Sequence, residues 1–212
     1  MKENTKQKIL EAGAEIIHLK GFNHTGLHEI LKAAGVPKGS FYNYFQSKDD
    51  FGLQVLDYFS TYFNELARTF LEDRSVSPLQ RIKNLLESFI RYFQSKDCTR
   101  GCPVGNLAQE MGDLSPEFRE KLEARLEAMI GVYAAVFKEA REAGEVAPDL
   151  EVEAAARFLV SSWHGALLHM KVLKTTEPLE NHLKFIFSFL AGEAKGDYLS
   201  GKSSPPLSRH LR

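Results

Sequence analysis

Two groups of residues in this 212-residue chain have types and spacings that can do chemistry. The first is Pro37-Lys38-Gly39-Ser40-Phe41-Tyr42-Asn43-Tyr44, with Lys48 close behind. From Ile30 to Lys48 there are three lysines and no acidic residue. Lysine, hydroxyl and phenol groups suit phosphate oxygens, and lysine, serine and asparagine reach base edges. Gly39 lets a backbone approach a groove closely. Thr25, at an expected helix start, adds a hydroxyl beside free N–H groups, a setting that takes a phosphate. The second group is Cys98-Thr99-Arg100-Gly101-Cys102-Pro103. Proline suits a first helical position, which makes Cys102 the N-cap. A thiol there faces the positive end of a helix dipole with Arg100 nearby, and both favour the nucleophilic thiolate. That is chemistry for sensing electrophiles or oxidants. The same position also suits a small structural residue at a helix start, and both readings stand. Two thiols without a neighbouring histidine do not complete a zinc site, so no metal and no cofactor are expected.

A third set is less specific. Phe89, Tyr92, Phe93, Met111, Tyr133, Phe137, Trp163, His164 and His169 either line a cavity or fill a core. Trp163-His164 places polar atoms inside an apolar helix. Buried polar groups need partners, and a ligand is one such partner; a histidine satisfied within the core is the alternative. No phosphate-binding glycine loop, nucleophile elbow or zinc-protease motif is present, and His28-Glu29 lacks a second histidine. The chain is therefore not expected to be an enzyme.

The elements that must position these residues are helical. Ile9, Ala12, Gly13, Ile16 and Ile17 share one helix face. Gly21 ends that helix, Leu27 to Ala34 forms a second, Gly35 turns the chain, and Pro37 to Tyr44 forms a third. Ser47 caps a long helix to about Leu71. Further helices are expected at Pro78–Gln94, Pro103–Met111, Pro116–Ala143, Leu150–Leu173 and Pro178–Ala191. The fold class is all-α: residues 1–47 form a three-helix head with a helix-turn-helix, and residues 48–195 form a larger helical ligand-binding and dimerisation domain. Residues 196–212, with Ser203-Ser204-Pro205-Pro206, read as a disordered tail. Ala155, Phe158, Leu159, Ser162, Ala166, Phe185 and Phe189 suit either a two-fold four-helix bundle or an internal core.

Composition narrows the classes. Hydrophobic residues make up 43% and charged residues 26%, and the net charge is −1. Basicity for a nucleic acid must therefore be local. Two cysteines exclude a disulfide scaffold. No run approaches the roughly 20 apolar residues of a membrane span, and the N-terminus lacks a signal-peptide core, so no membrane partner and a cytoplasmic location are expected. A helical protein–protein adaptor that has reused the helix-turn-helix is the rival class.

The stretch Gly21-Phe22-Asn23-His24-Thr25, then Ile30, Ala34-Gly35-Val36, Lys38-Gly39-Ser40-Phe41-Tyr42, Tyr44-Phe45 and Ser47-Lys48, resembles the TetR-family signature over about Ile9 to Leu53. The resemblance implies a homodimer whose heads bind successive major grooves of a near-palindromic operator, and whose larger domain binds a small molecule that abolishes DNA binding. It implies a recognition helix of Lys38, Gly39, Ser40, Tyr42, Asn43 and Tyr44, with phosphate contacts from Thr25, Tyr42, Tyr44 and Lys48. Leu31 stands where alanine is usual, Tyr44 where histidine is common, and Gly26 where a small hydroxyl residue or alanine is usual. Gly101-Cys102-Pro103-Val104, Leu107-Ala108, Glu110 and Asp113-Leu114-Ser115 resemble the NemR- and AcuR-like branch, whose members respond to reactive electrophiles or unsaturated acids. From these readings together, Cys102, Arg100, Tyr92, Phe93, Tyr133, Trp163 and His164 are the ligand-binding or sensing candidates.

Overall fold

The computed structural model describes residues 2–190, so the expected tail at 196–212 lies outside the described residues. The elements are α1 (Lys2–Lys20), α2 (Leu27–Ala34), a 3-10 helix (Lys38–Asn43), α3 (Lys48–Leu71), α4 (Pro78–Gln94), α5 (Pro103–Met111), α6 (Pro116–Glu142), α7 (Val152–Leu173) and α8 (Glu177–Leu190). No strand occurs among the described residues, as the all-α reading requires.

Local chemistry sets the boundaries. Gly35 ends α2 in the left-handed region at φ 66°, and the next amide, Val36 N–H, donates to Leu31 O at 3.0 Å. This closes the tight turn that a side chain would strain. Ser47 Oγ accepts from Asp50 N–H at 3.0 Å, while Asp50 returns a carboxylate oxygen to Gln46 N–H at 2.8 Å. These two bonds satisfy donors that a helix start leaves open. Pro78, Pro103 and Pro116 each sit in the first turn of their helices. The third element departs from expectation in being a 3-10 helix. Ser40 N–H donates to Pro37 O and Tyr44 N–H to Phe41 O, both spanning three residues. Six residues that include Gly39 and Ser40 are too few and too poor in helix propensity to sustain the α form.

The buried apolar side chains form two clusters. One joins α1, α2, the 3-10 helix and Phe51 to Phe59 of α3 with Val104, Leu107, Met111, Phe118 and Leu122. The other packs α4, the second half of α6, α7 and α8. The head thus borrows part of its core from α5 and α6, which suits a unit too small to bury a sufficient core alone. Gly52 lies at the join. A Cβ there would stand 2.5 Å from the Phe22 ring and 2.7 Å from the Phe118 ring. Those rings pack with centroids 5.3 Å apart. Gly52→Ala is expected to cost about 1–3 kcal/mol by overpacking. Urea unfolding checks this, and unchanged stability would show that the rings part freely.

Polar links also join head and body. Arg100 pairs with Glu15 of α1 at 2.8 Å, and His18 Nε2–H donates to Gly101 O at 2.6 Å. Asn23 N–H donates to Glu110 at 3.0 Å. Lys121 and Arg125 of α6 both reach Asp57 of α3 at 2.6 Å. The loop carrying Arg100 and Gly101 is unusual, with φ of 53° at Asp97, 51° at Cys98, 72° at Arg100 and 106° at Gly101. Three of these are side-chain-bearing residues in a region that costs them about 1–3 kcal/mol each. Within the body, Arg81 is 2% exposed. It donates to Leu71 O at 2.9 Å and to Glu139 at 2.5 Å, and Arg74 pairs with the same carboxylate.

Candidate functional site

The recognition segment is held from behind and open in front. Phe41 and Phe45 are buried and pack on each other, centroids 5.0 Å apart, and on Phe51 of α3 at 5.6 and 4.9 Å. The two contacts with Phe51 are edge-to-face, which fixes ring orientation as well as burying area. Lys38, Gly39, Tyr42 and Asn43 are exposed, Tyr42 by 68%, while Ser40 and Tyr44 are half-buried. A Cβ at Gly39 would meet nothing within 4 Å, so the backbone there presents an open approach. Lys48 is half-buried at the first position of α3, and its ammonium lies 4.7 Å from the Phe22 ring centroid. A cation at a helix N-terminus opposes the dipole, and the aromatic face offsets part of that cost. Ammonium and dipole both attract an anion there.

Thr25 is corrected by the structure. It is 1% exposed, and its hydroxyl donates to Gly21 O at 2.7 Å, closing the loop between α1 and α2. That hydroxyl is not offered to a phosphate. The cap of α2 is Gly26, one residue on, which has no side chain to cap with.

Behind the head, α3 to α7 enclose a cavity of about 510 Å³, within the usual size of small-molecule sites. Phe89, Phe93, Cys102, Tyr133, Trp163 and His164 line it. Tyr92, Met111, Phe137, His169 and Arg100 do not. Met111 belongs to the head cluster, Phe137 is fully buried core, and His169 is exposed. Tyr92 packs partly buried against the body core. Sequence reasoning missed the α3 wall, with Phe59, Phe63 and Asn64, and the α6 wall, with Arg125, Met129 and Val132. Their local patterns read as ordinary amphipathic helix.

Burial favours the neutral forms of the cavity's inner polar groups. His164 Nε2 is buried without a protein partner, and burial lowers the imidazole pKa. Burial raises the Tyr133 phenol, with a smaller contribution from nearby Cys102. Cys102 caps α5 as expected, yet its thiol is not activated. Burial raises its pKa, and this outweighs the Gly105 and Val104 amides, which favour thiolate. Arg100 points away to Glu15. The expected thiolate environment is therefore corrected, because desolvation exceeds the dipole's help. Since the pKa is raised, the thiolate fraction at pH 7 is below that of free cysteine. Alkylation of Cys102 by iodoacetamide, followed by mass spectrometry, is expected to be slow at pH 7 and to climb with pH through and beyond the ordinary thiol range. Fast labelling at pH 7 would contradict this. Among the described residues, no group of three or more histidine, cysteine or acidic side chains is placed to hold a metal, and no helix is long and apolar enough to cross a membrane.

The faces of α7 and α8 are divided. Ala155 and Leu159 pack into the body's own core, while Phe158, Phe185 and Phe189 stand exposed, as do Leu168 and Val172. Ser162 is half-buried and hydrogen-bonded to His182 Nε2 at 2.8 Å.

Comparison with known proteins agrees with this architecture. Residues 9–55 match the sequence model of the bacterial regulatory proteins of the tetR family, and residues 78–186 match the tetracyclin repressor-like C-terminal domain. The chain is 39% identical over 175 residues to the transcriptional regulator AcuR of Cereibacter sphaeroides, covering 82% of this chain and 80% of that protein. It is 36% identical over 188 residues to the transcriptional repressor DhaR of a Mycobacterium species, covering 87% and 91%. The crystal structure of reduced NemR from Escherichia coli superposes with a TM-score of 0.79 at 30% identity, covering 86% of this chain and 94% of that one. With both parts matched and relatives aligned over most of its length, the chain belongs to the TetR family of bacterial transcriptional regulators.

Proposed function

We propose that this protein is a cytoplasmic, homodimeric transcriptional repressor that leaves a near-palindromic operator when a small molecule occupies the cavity behind its head. One observation carries the reading: Lys38, Gly39, Tyr42 and Asn43 face outward from a short helix that Phe41, Phe45 and Phe51 lock in place. Exposed side chains that carry donors for phosphates and bases are the elements of groove readout. The names of the relatives DhaR and NemR as repressors support the sign of the response. The exposed phenylalanines of α7 and α8 supply an apolar face for a two-fold four-helix interface. The cavity's inner end abuts Cys102, whose preceding residues Arg100 and Gly101 hold Glu15 and His18 of α1. A ligand that shifts the start of α5 thereby acts on the head. Cys102 serves in this reading as a wall of the site, in thiol form.

Selection from a random duplex library at near-physiological salt tests the proposal. An enriched inverted repeat, with half-site centres about one helical turn or slightly more apart, is the expected result. No enrichment with folded protein would move the adaptor reading ahead. Light scattering is expected to give a dimer mass at micromolar concentration.

A further inference from the structure

The head carries an ammonium group that its helix-turn-helix does not account for. Ile9 of α1 is fully buried, and Gly13, one turn on, lies directly against the Phe51 ring. Lys6 stands one turn before Ile9 on the same face. An apolar residue there would continue the stripe that packs α1 onto the head. The chain has a lysine instead, half-buried, with its ammonium 5.7 Å from the Phe45 ring centroid. A long stem that lies on apolar surface while its charge stays at the rim is a common use of lysine. Phe45 packs on Tyr44, centroids 6.5 Å apart, so this ammonium is one ring removed from the recognition segment.

The lysines of the head differ in how their charge is held. Lys20 meets a carboxylate, Glu29, at 2.6 Å. Lys6 and Lys48 rest on aromatic faces, those of Phe45 and Phe22, and among the described residues neither has an ion pair. A carboxylate cancels an ammonium's charge, whereas a ring quadrupole orients the ammonium and leaves the charge in place. A cation held this way has less freedom to lose when an anion arrives.

We infer that Lys6 takes a DNA phosphate, so that each head grips the duplex from the start of α1 as well as from the recognition segment and Lys48. The inference rests on the operator-binding reading and extends the interface beyond residues 9–55, the stretch matched to the family's DNA-binding part. Phosphates are alike at every base step, so this contact adds affinity and carries no sequence information.

Lys6→Met keeps an unbranched stem for Phe45 and removes the charge, while Lys6→Arg keeps the charge. Anisotropy titrations of the full chain use two fluorescein-labelled duplexes: the inverted repeat recovered from the random library, and a scrambled duplex of the same length. Lys6→Met is expected to flatten the log–log salt slope by about 1.8 per dimer, so its deficit against the parent should shrink about 12-fold between roughly 50 and 200 mM salt. The deficit should be similar on both duplexes, and Lys6→Arg should recover the parent's slope. Lys6→Gln serves if Lys6→Met lowers the melting temperature. Ethylation interference should reveal, in each half-site, a phosphate whose modification weakens the parent and not Lys6→Met. A salt slope that Lys6→Met shares with the parent overturns the inference alone, whether affinity holds or falls. So does a deficit confined to the selected repeat. Failure of the operator selection overturns the regulator reading and takes the inference with it.

Discussion

The double variant Lys38→Ala, Tyr42→Ala is expected to lose about 2–6 kcal/mol of operator binding per dimer, because each head gives up about 1–3 kcal/mol and a two-fold protein gives it up twice. Both side chains are exposed, and although Tyr42 rests edge-on against Phe41 with centroids 5.4 Å apart, Phe41, Phe45 and Phe51 hold one another without it. The melting temperature should therefore hold while affinity falls. Anisotropy titrations at several salt concentrations provide a second reading. Each lost lysine–phosphate contact flattens the log–log salt slope by about 0.9, so a dimer should show a change of nearly 2. An unchanged slope with unchanged affinity would place this segment outside the groove. Phe41→Ala is the contrasting variant: it removes a ring that is 1% exposed and is expected to lower stability as well as binding.

Arg81→Met should produce the largest loss of stability in the body, about 3–5 kcal/mol, with the lower end favoured because Glu139 is partly hydrated. Its guanidinium bridges Leu71 O and Glu139, tying the end of α3 to α4 and α6. Removing it leaves a carboxylate with only the exposed Arg74 and a carbonyl without a donor. The same pair gives a pH dependence of known sign. Hydrogen bonds from Arg81, then from Arg74, lower the Glu139 pKa. A lowered carboxylate pKa contributes stability that is complete above its unfolded value of about 4.3 and is lost as pH falls through the folded value. Urea unfolding at pH 7 and at pH 3 should show a larger drop for the parent than for Arg81→Met. A loss below about 1 kcal/mol at pH 7 would mean that hydrophobic packing compensates for the ion pair.

Helix positions were legible because their signals are local. Gly21, Gly35, Ser47 and the prolines at 78, 103 and 116 act within a turn of themselves, and each helix they bound is found at or within two residues of its expected end. The recognition segment was legible in identity and misjudged in form, since nothing in its pattern distinguishes a short α-helix from a 3-10 helix. Thr25 failed for a different reason. Its hydroxyl is spent on Gly21 O, a partner four residues back that only the folded loop selects. Cys102 failed on magnitudes: its dipole setting was readable, but the desolvation that outweighs it comes from helices distant in sequence. The cavity was half legible. Trp163-His164 advertised itself as polar atoms in an apolar helix, whereas the α3 and α6 walls became visible only once the faces of five helices converged.

The buried hydrogen bond from His18 to Gly101 sets how the molecule answers to ionic strength. Of the two links between α1 and the left-handed loop, Arg100–Glu15 has one partner in open solvent, while the His18 ring is enclosed and packs on Phe59. Mobile ions screen the first over about 10 Å at moderate salt and scarcely reach the second. Rising salt therefore weakens the outer link between α1 and the loop and leaves the inner one in place.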